Sequence, residues 1–203
     1  MSIKINTHSS IQIDNIAFDP YDADKLKFKA KYIFLTHTHY DHLDIPSIKA
    51  LSNKNTVIIA TPDAKETLET HFNNKIIYVK PNDEINLETC QVEVLPSYNI
   101  NKEYHKKEYG WVGYKVIKDG TVYAVLGDTD ATPELETLSG IDVLFVPIGG
   151  TYTMNAKEAA NLANTIKPKL VIPVHYNSIV GSKADEKEFL KNLDKKIKHK
   201  ILI

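Results

Sequence analysis

The sequence predicts an α+β fold, a four-layer αββα sandwich in which two β-rich halves each carry covering helices. Three observations lead to this fold class. Short runs of β-branched and aromatic residues recur along the 203-residue chain, helical segments separate several of them, and Asp119-Gly120 joins two longer runs as a hairpin turn would. The composition is 42% hydrophobic and no Gly/Ser-rich or Pro-rich stretch marks a linker, so we expect a single domain over residues 1–203.

The first half is expected to alternate strands with helices. Seven short strands are predicted, at Ile3–Ile5, Ile11–Ile13, Ile16–Phe18, Tyr32–Leu35, Val57–Ala60, Ile76–Val79 and Val92–Leu95. One helix is predicted over Asp44–Ser52 and a second over Thr61–Phe72. Thr61 suits the N-cap of the second helix, and Pro62 suits its first position, where no backbone N–H is needed.

The second half begins with a predicted hairpin of Trp111–Ile117 and Thr121–Leu126. A strand, a helix, a strand, a helix and a closing strand are predicted to follow, at Val143–Val146, Ala156–Ile166, Leu170–Val174, Asp185–Leu193 and Ile201–Ile203. Asn155 is the expected N-cap of the first of these helices, and Glu158 is placed to complete a capping box.

A cluster of metal-binding residue types follows the apolar run Tyr32–Leu35. Residues 36–42 read Thr-His-Thr-His-Tyr-Asp-His, which places three imidazoles and a carboxylate within six residues. His37 and His39 alternate on one side of an extended backbone, while Asp41 and His42 lie just past the strand end and can reach a second position. This spacing predicts two metal ions, and a His-rich surface loop is the ordinary alternative.

Two other predicted strands end in a single ligand-type side chain. The run ending at Leu126 is followed by Gly127-Asp128-Thr129, and the run Leu170–Val174 is followed by His175. Each is an apolar, β-branched run, so both side chains are expected at the same sheet edge as His37 and His39. A lone Asp or His there is more often a cap or a satisfied core group, but a metal site needs ligands from several strand ends.

These motifs resemble those of the metallo-β-lactamase superfamily, and the resemblance covers nearly the whole chain. Residues 37–42 match the H-x-H-x-D-H motif, residues 127–129 look like the strand-end G-D-T motif, and His175 looks like the last strand-end histidine. The resemblance implies the same αββα fold, and it implies that Asp128 bridges two metal ions. His37 and His39 would then hold one ion, and Asp41, His42 and His175 would hold the other.

The sequence departs from the family pattern after Val92–Leu95, where the family usually has a further metal-binding histidine. Asn99 stands at that position, and an amide oxygen is a poorer zinc ligand than an imidazole. We therefore expect a first metal position that is weak, differently built or empty. If it is weak, Asn99→His would tighten it. His105, in the same loop, is expected either to replace the missing ligand or to act on the substrate.

Three other segments resemble a small cytoplasmic branch of the superfamily that includes ascorbate-phosphate lactonase-like proteins. They are residues 7–10 (Thr-His-Ser-Ser), residues 18–20 (Phe-Asp-Pro) and residues 147–154. His8 and Asp19 are expected to support the ligands through hydrogen bonds rather than to bind metal. Gly149-Gly150 is expected to permit a tight turn near the cleft rather than to bind phosphate.

Composition narrows the partners and the compartment. The formal net charge is −1, and all 25 basic residues are lysine. Because arginine guanidinium groups are the usual bidentate ligands of phosphates and bases, the lack of arginine disfavours a nucleic-acid partner.

Cys90 is the only cysteine, so no intramolecular disulfide is expected. No signal-peptide core or run of transmembrane length is present, which predicts a cytoplasmic protein with a small-molecule substrate and no membrane partner.

The predicted activity is hydrolysis of a small ester, lactone or phosphoester by a metal-bound hydroxide. Two divalent ions, zinc first and manganese or iron as alternatives, would lower the pKa of a bridging water and polarise the attacked oxygen. Asp41 would orient the nucleophile, and His105 or Tyr176 would help the leaving group depart. The alternatives are a nucleic-acid phosphodiesterase and a metal-stabilised binding or sensing module without turnover.

Overall fold

A computed structural model describes residues 2–23 and 28–203 of the chain. The chain divides into two compact units, Met1–Lys80 with Ile203, and Pro81–Leu202. Each unit contains its own β-sheet with helices.

The first unit is built on a six-stranded sheet whose strand order follows the chain. The strands are β1 (Ile3–Ile5), β2 (Ile11–Ile13), β3 (Ile16–Phe18), β4 (Tyr32–Phe34), β5 (Val57–Ala60) and β6 (Lys75–Tyr78). The strands β1 to β3 pair antiparallel, whereas β3 to β6 pair parallel. Since parallel strands end at one edge of a sheet, the segments that follow β3 and β4 lie at the same edge.

Two helices belong to this first unit, α1 (Ile45–Leu51) and α2 (Lys65–His71), the second preceded by a 3-10 turn at Pro62–Ala64. Asp44 caps α1, because its side chain accepts from the Ser47 amide. The core under the helices is aliphatic and includes Ile33, Ile58 and Leu68, each fully buried. Both helices and six of the seven strands predicted for the first half therefore lie in this unit. Four of these strands have the predicted bounds, and the ends of the other elements are shifted by at most four residues.

The second unit is built on a seven-stranded sheet with the order β13-β12-β11-β10-β9-β8-β7. The strands are β7 (Glu84–Leu87), β8 (Cys90–Pro96), β9 (Val112–Lys118), β10 (Thr121–Val125), β11 (Val143–Pro147), β12 (Leu170–Val174) and β13 (Lys198–His199). The strands β7 to β10 pair antiparallel and β10 to β13 pair parallel. The predicted hairpin is confirmed, since Lys118 pairs with Thr121 and both Asp119 and Gly120 have positive φ.

The helices of the second unit are α3 (Pro133–Glu136), α4 (Ala156–Ile166) and α5 (Lys183–Asn192). The predicted capping box at α4 is confirmed, with Asn155 and Glu158 each accepting from the other's backbone amide. Ser182 and Asp185 form a second capping box, which starts α5 two residues earlier than predicted.

Three elements of the second unit differ from the sequence-based expectation. The closing strand is Lys198–His199, which pairs with Leu170 and Val171, so the prediction of a strand at Ile201–Ile203 is wrong. The edge strand β7 and the one-turn helix α3 were not predicted. In β7, exposed Glu84 and Asn86 alternate with partly buried residues, and a polar edge strand of this kind gives a weak hydrophobic signal.

Among the described residues, no helix is long and apolar enough to span a bilayer.

Candidate metal centre

In the first unit, the predicted metal motif follows β4 directly. His37, Asp41 and His42 are buried, and His39 is more accessible. His37 Nε2 lies 3.1 Å from His39 Nδ1, and His42 Nε2 lies 3.5 Å from Asp41 Oδ2. The rings of His37 and His42 are also close, with centroids 4.0 Å apart, so the strand-end position brings these four side chains into one cluster.

A buried carboxylate behind this motif orients two of its imidazoles. Asp19, fully buried and just after β3, accepts hydrogen bonds from Thr36 N at 2.8 Å, Thr36 Oγ1 at 2.7 Å and His42 Nδ1 at 2.8 Å. The single hydroxyl proton of Thr36 goes to Asp19, so Thr36 Oγ1 accepts from His37 Nδ1 at 2.9 Å. Both imidazoles therefore carry their proton on Nδ1, which directs Nε2 away from Asp19 as a ligand atom.

His8 contacts the motif directly. Its Nε2 lies 3.1 Å from Asp41 Oδ2, and its side chain is fully buried. One potential ligand atom from each of His8, Asp41 and His42 falls within 4.8 Å of the others. The contact agrees with the predicted supporting role of His8, and the distances also suit a ligand.

In the second unit, the two strand-end residues meet as expected. Asp128 follows β10 and His175 follows β12, and His175 Nε2 lies 2.9 Å from Asp128 Oδ2. Gly149 makes this arrangement possible, because a Cβ atom there would lie 2.3 Å from the His175 carbonyl oxygen. The prediction that the Gly149-Gly150 pair serves the backbone rather than a phosphate fits this close approach.

His105 joins the same carboxylate. Its Nε2 lies 3.3 Å from Asp128 Oδ2, its ring packs edge-on against Trp111 with centroids 5.3 Å apart, and the residue is buried. Asn99 does not present its amide group in this way, since Nδ2 donates to the carbonyl oxygens of Tyr104 and Tyr152. Of the two candidates in this loop, the structure places His105 beside Asp128. The sequence could not decide this because six residues separate the two positions.

Tyr176 is held away from a role in proton transfer. Its side chain is fully buried, and its hydroxyl donates to Glu186 Oε2 at 2.9 Å. Burial, with the Glu186 carboxylate as the next cause, raises the pKa of the Tyr176 hydroxyl above its ordinary value. A phenol with a raised pKa and a committed proton is a poor acid for a leaving group, so the geometry explains Tyr176 as a support for α5.

The backbone at these positions is unusual. Ten described residues other than glycine have positive φ, and four of them are His8, Asp19, His105 and His175. Non-glycine residues adopt this conformation at a cost, and such residues concentrate at functional sites.

The donor set of each unit fits a divalent metal ion. Imidazole nitrogens and carboxylate oxygens are the ligand types that zinc and related ions take in proteins. Buried carboxylates such as Asp128 and Asp41 are stable only when paired or bound to metal, and here their neighbours are imidazole Nε2 atoms at 2.9–3.5 Å. The Nδ1 protonation imposed on His37 and His42 is the tautomer that a metal at Nε2 requires.

Comparisons with known proteins show the fold and the family of the chain. The profile of the Beta-lactamase superfamily domain matches residues 3–175. A crystal structure of a candidate metal-dependent hydrolase from Parabacteroides distasonis is 31% identical, with a TM-score of 0.83 over 98% of this chain and 91% of that chain. A candidate zinc-dependent hydrolase from Thermotoga maritima, 20% identical with a TM-score of 0.64 over 98% of this chain and 96% of that chain, shares the fold.

The chain is thus a hydrolase of the metallo-β-lactamase fold and belongs to that superfamily. Within it, the chain belongs to the UPF0173 family. A UPF0173 protein of Pyrococcus furiosus is 33% identical over 89% of this chain and 83% of its own length. A UPF0173 metal-dependent hydrolase of Nanoarchaeum equitans is 30% identical over 97% of this chain and 93% of its own length. The predicted fold class and superfamily are confirmed.

Proposed function

We propose that this protein hydrolyses a small ester, lactone or phosphoester with two bound divalent ions. The proposed ligands are His37, His39, Asp41 and His42 in the first unit, and Asp128 and His175 in the second. Bound divalent ions supply a polarised substrate oxygen and a water of lowered pKa. Zinc is the expected metal, with manganese or iron as alternatives, because the ligands mix imidazole and carboxylate. The proposal extends to a cytoplasmic location and to the lactonase-like branch that the sequence resembles.

The hydrogen-bond network from Asp19 is the observation that carries this proposal. One carboxylate fixes the tautomers of His37 and His42 through bonds of 2.7–2.9 Å, either directly or through Thr36. The network keeps the proton of both imidazoles on Nδ1 and leaves a lone pair on each Nε2, which is the arrangement that a metal ligand needs. A binding or sensing module would also need the metal, so this observation supports the metal centre and the activity panel below tests turnover.

Asp41 is proposed to orient the attacking water and to accept its proton. His8 Nε2 lies within hydrogen-bond distance of Asp41 Oδ2, at 3.1 Å. This contact restricts the orientation of the carboxylate, and a general base works best when its position is fixed.

His105 is proposed as a metal ligand in place of the histidine that the family pattern puts near Asn99. Its Nε2 approaches Asp128 Oδ2 in the same way as His175 Nε2, at 3.3 Å and 2.9 Å respectively. Of the two roles that the sequence left open for His105, we therefore propose the metal ligand. The leaving group would then be protonated by Asp41, with the proton that Asp41 has taken from water.

Metal analysis followed by a substrate panel tests the proposal. Protein purified without oxygen is expected to contain two equivalents of divalent metal and to hydrolyse at least one compound in a panel of phosphodiesters, carboxylic esters, lactones and thioesters. Activity should disappear on chelation and return with added metal. Activity against polynucleotides alone would favour the phosphodiesterase, which the absence of arginine disfavours. Metal without turnover on any substrate would favour the binding module.

A further inference from the structure

Residues 99–105 form a loop between β8 and the 3-10 turn Lys107–Tyr109, and they end at His105. The loop closes on itself, because the Asn99 backbone amide donates to the His105 carbonyl oxygen at 2.7 Å. His105 has a φ of +54°, a conformation that residues with side chains keep only where the surroundings hold it. The position of the His105 imidazole therefore depends on what keeps this loop closed.

The Asn99 side chain fastens the loop at two points. Its Nδ2 donates to the Tyr104 carbonyl oxygen at 3.0 Å, inside the loop, and to the Tyr152 carbonyl oxygen at 2.7 Å, in the segment after β11. Both amide hydrogens are thus used, and Nδ2 also lies 3.4 Å from His105 Nδ1. The flipped amide would set its oxygen against two carbonyl oxygens, so these bonds fix the orientation of the group.

The other end of the same amide takes no part in closing the loop. Asn99 is 5% exposed, and its Oδ1 is buried without a hydrogen-bond donor among residues 2–23 and 28–203. The two N–H donors are therefore the part of Asn99 that secures the loop, and a side chain of equal shape without them isolates their effect.

We propose that Asn99 is a positioning residue for the metal centre, holding the 99–105 loop closed so that His105 Nε2 stays beside Asp128. This inference rests on the proposed ligand role of His105. It reverses the sequence-based expectation for Asn99→His, since a neutral imidazole has a single N–H and cannot donate to both carbonyl oxygens. Asn99→His is expected to loosen metal binding, although it adds a ligand-type side chain.

Zinc titration of the full-length protein against a competing chelator tests the role of Asn99. Asn99→Asp keeps the shape and removes both donors, and its added negative charge alone would strengthen cation binding. Asn99→Leu removes the donors without adding charge. We expect each to weaken binding of the less tightly held zinc ion by about 10-fold to 100-fold, the usual effect of losing a group that orients a ligand.

A double-mutant cycle with His105→Gln separates positioning from general damage to the fold. If Asn99 acts through His105, Asn99→Asp should change the zinc affinity less than about twofold in the His105→Gln background, because coupled residues are not additive. Asn164→Leu is the matched control, since Asn164 Nδ2 donates to the Asn192 carbonyl oxygen at 2.9 Å. It should lower the melting temperature and leave zinc affinity unchanged.

The outcomes are distinguishable. Unchanged zinc affinity in His105→Gln would remove His105 from the ligands of the proposed function and the positioning role with it. Weakened binding in His105→Gln with wild-type binding in both Asn99 variants would overturn the positioning role alone. Equal weakening by Asn99→Asp in both backgrounds would show that Asn99 acts through general stability, and would also overturn it.

Discussion

Asp19→Asn is expected to weaken metal binding in the first unit although Asp19 is not a proposed ligand. The substitution keeps the shape of the side chain but replaces one acceptor oxygen by an NH2 group. If that group takes the place of Oδ2, it faces His42 Nδ1 and Thr36 Oγ1, which both use Oδ2 as an acceptor. His42 would then hold its proton on Nε2, the nitrogen that is needed as a ligand.

The size of the effect follows from the number of imidazoles involved. Loss of one partner that orients a ligand costs about 10-fold to 100-fold in metal affinity, or roughly 1.4 to 2.7 kcal/mol. Asp19 orients His42 directly and His37 through Thr36, so we expect the upper end, about 100-fold. The metal-free protein should also lose about 1.5–3 kcal/mol in its free energy of unfolding, because a hydrogen bond to a buried charge is lost.

Chelator competition at pH 7 measures the affinity, and urea unfolding of the metal-free protein measures the stability. Asp142→Asn is the control, because Asp142 also accepts a backbone hydrogen bond, from Val122 N at 2.8 Å, at the start of β11. It should cost stability and leave metal affinity unchanged. An Asp19→Asn protein that binds both ions with wild-type affinity would refute the tautomer argument.

Four further predictions concern the proposed site. Asp128→Asn should lower metal content and turnover together, by metal analysis and a hydrolysis assay, and full occupancy with normal turnover would contradict the proposal that Asp128 is a metal ligand. Asp41→Ala should keep a normal circular dichroism spectrum while turnover falls at least about 100-fold, and retained turnover would remove it from the mechanism. Tyr176→Phe should keep turnover within about twofold and cost about 1 kcal/mol in urea unfolding, and a large fall in kcat would restore Tyr176 as a catalytic residue. Gly149→Ala should weaken metal binding, because its Cβ atom would lie 2.3 Å from the His175 carbonyl oxygen, and unaltered affinity would show that the turn can move.

Much of the fold could be predicted from local sequence signals. The Asp119-Gly120 turn and the Asn155 and Glu158 capping box are specified by residues within four positions of one another, and both were predicted in place. The strand Lys198–His199 could not be found in this way, because its two residues are exposed and it exists only through pairing with β12. Apolar Ile201–Ile203 looked like the better strand, but the backbone there is not a β-strand.

The candidate site could also be predicted only in part. The residues from His37 to His42 are neighbours in sequence, so their spacing alone predicts that their side chains lie close together. His105 has no such signal, since its place beside Asp128 depends on a loop held by bonds from Asn99 to two carbonyl oxygens. Every residue has a backbone carbonyl oxygen, so the sequence does not show which of them accept these hydrogen bonds. The family pattern therefore points to Asn99, whereas the imidazole beside Asp128 comes from His105, six residues further along the chain.

The positive φ angles of His8, Asp19, His105 and His175 lower the thermal stability of the protein at positions where the side chains are needed for function. A left-handed conformation costs most residues roughly 1–2 kcal/mol, asparagine and aspartate less, and glycine almost nothing. Replacement of these side chains by glycine would relieve the backbone while removing the groups that bind or orient metal. A library of this protein that is sorted only for resistance to heat, with no metal present, should therefore enrich chains that fold better and can no longer hold the metal ions.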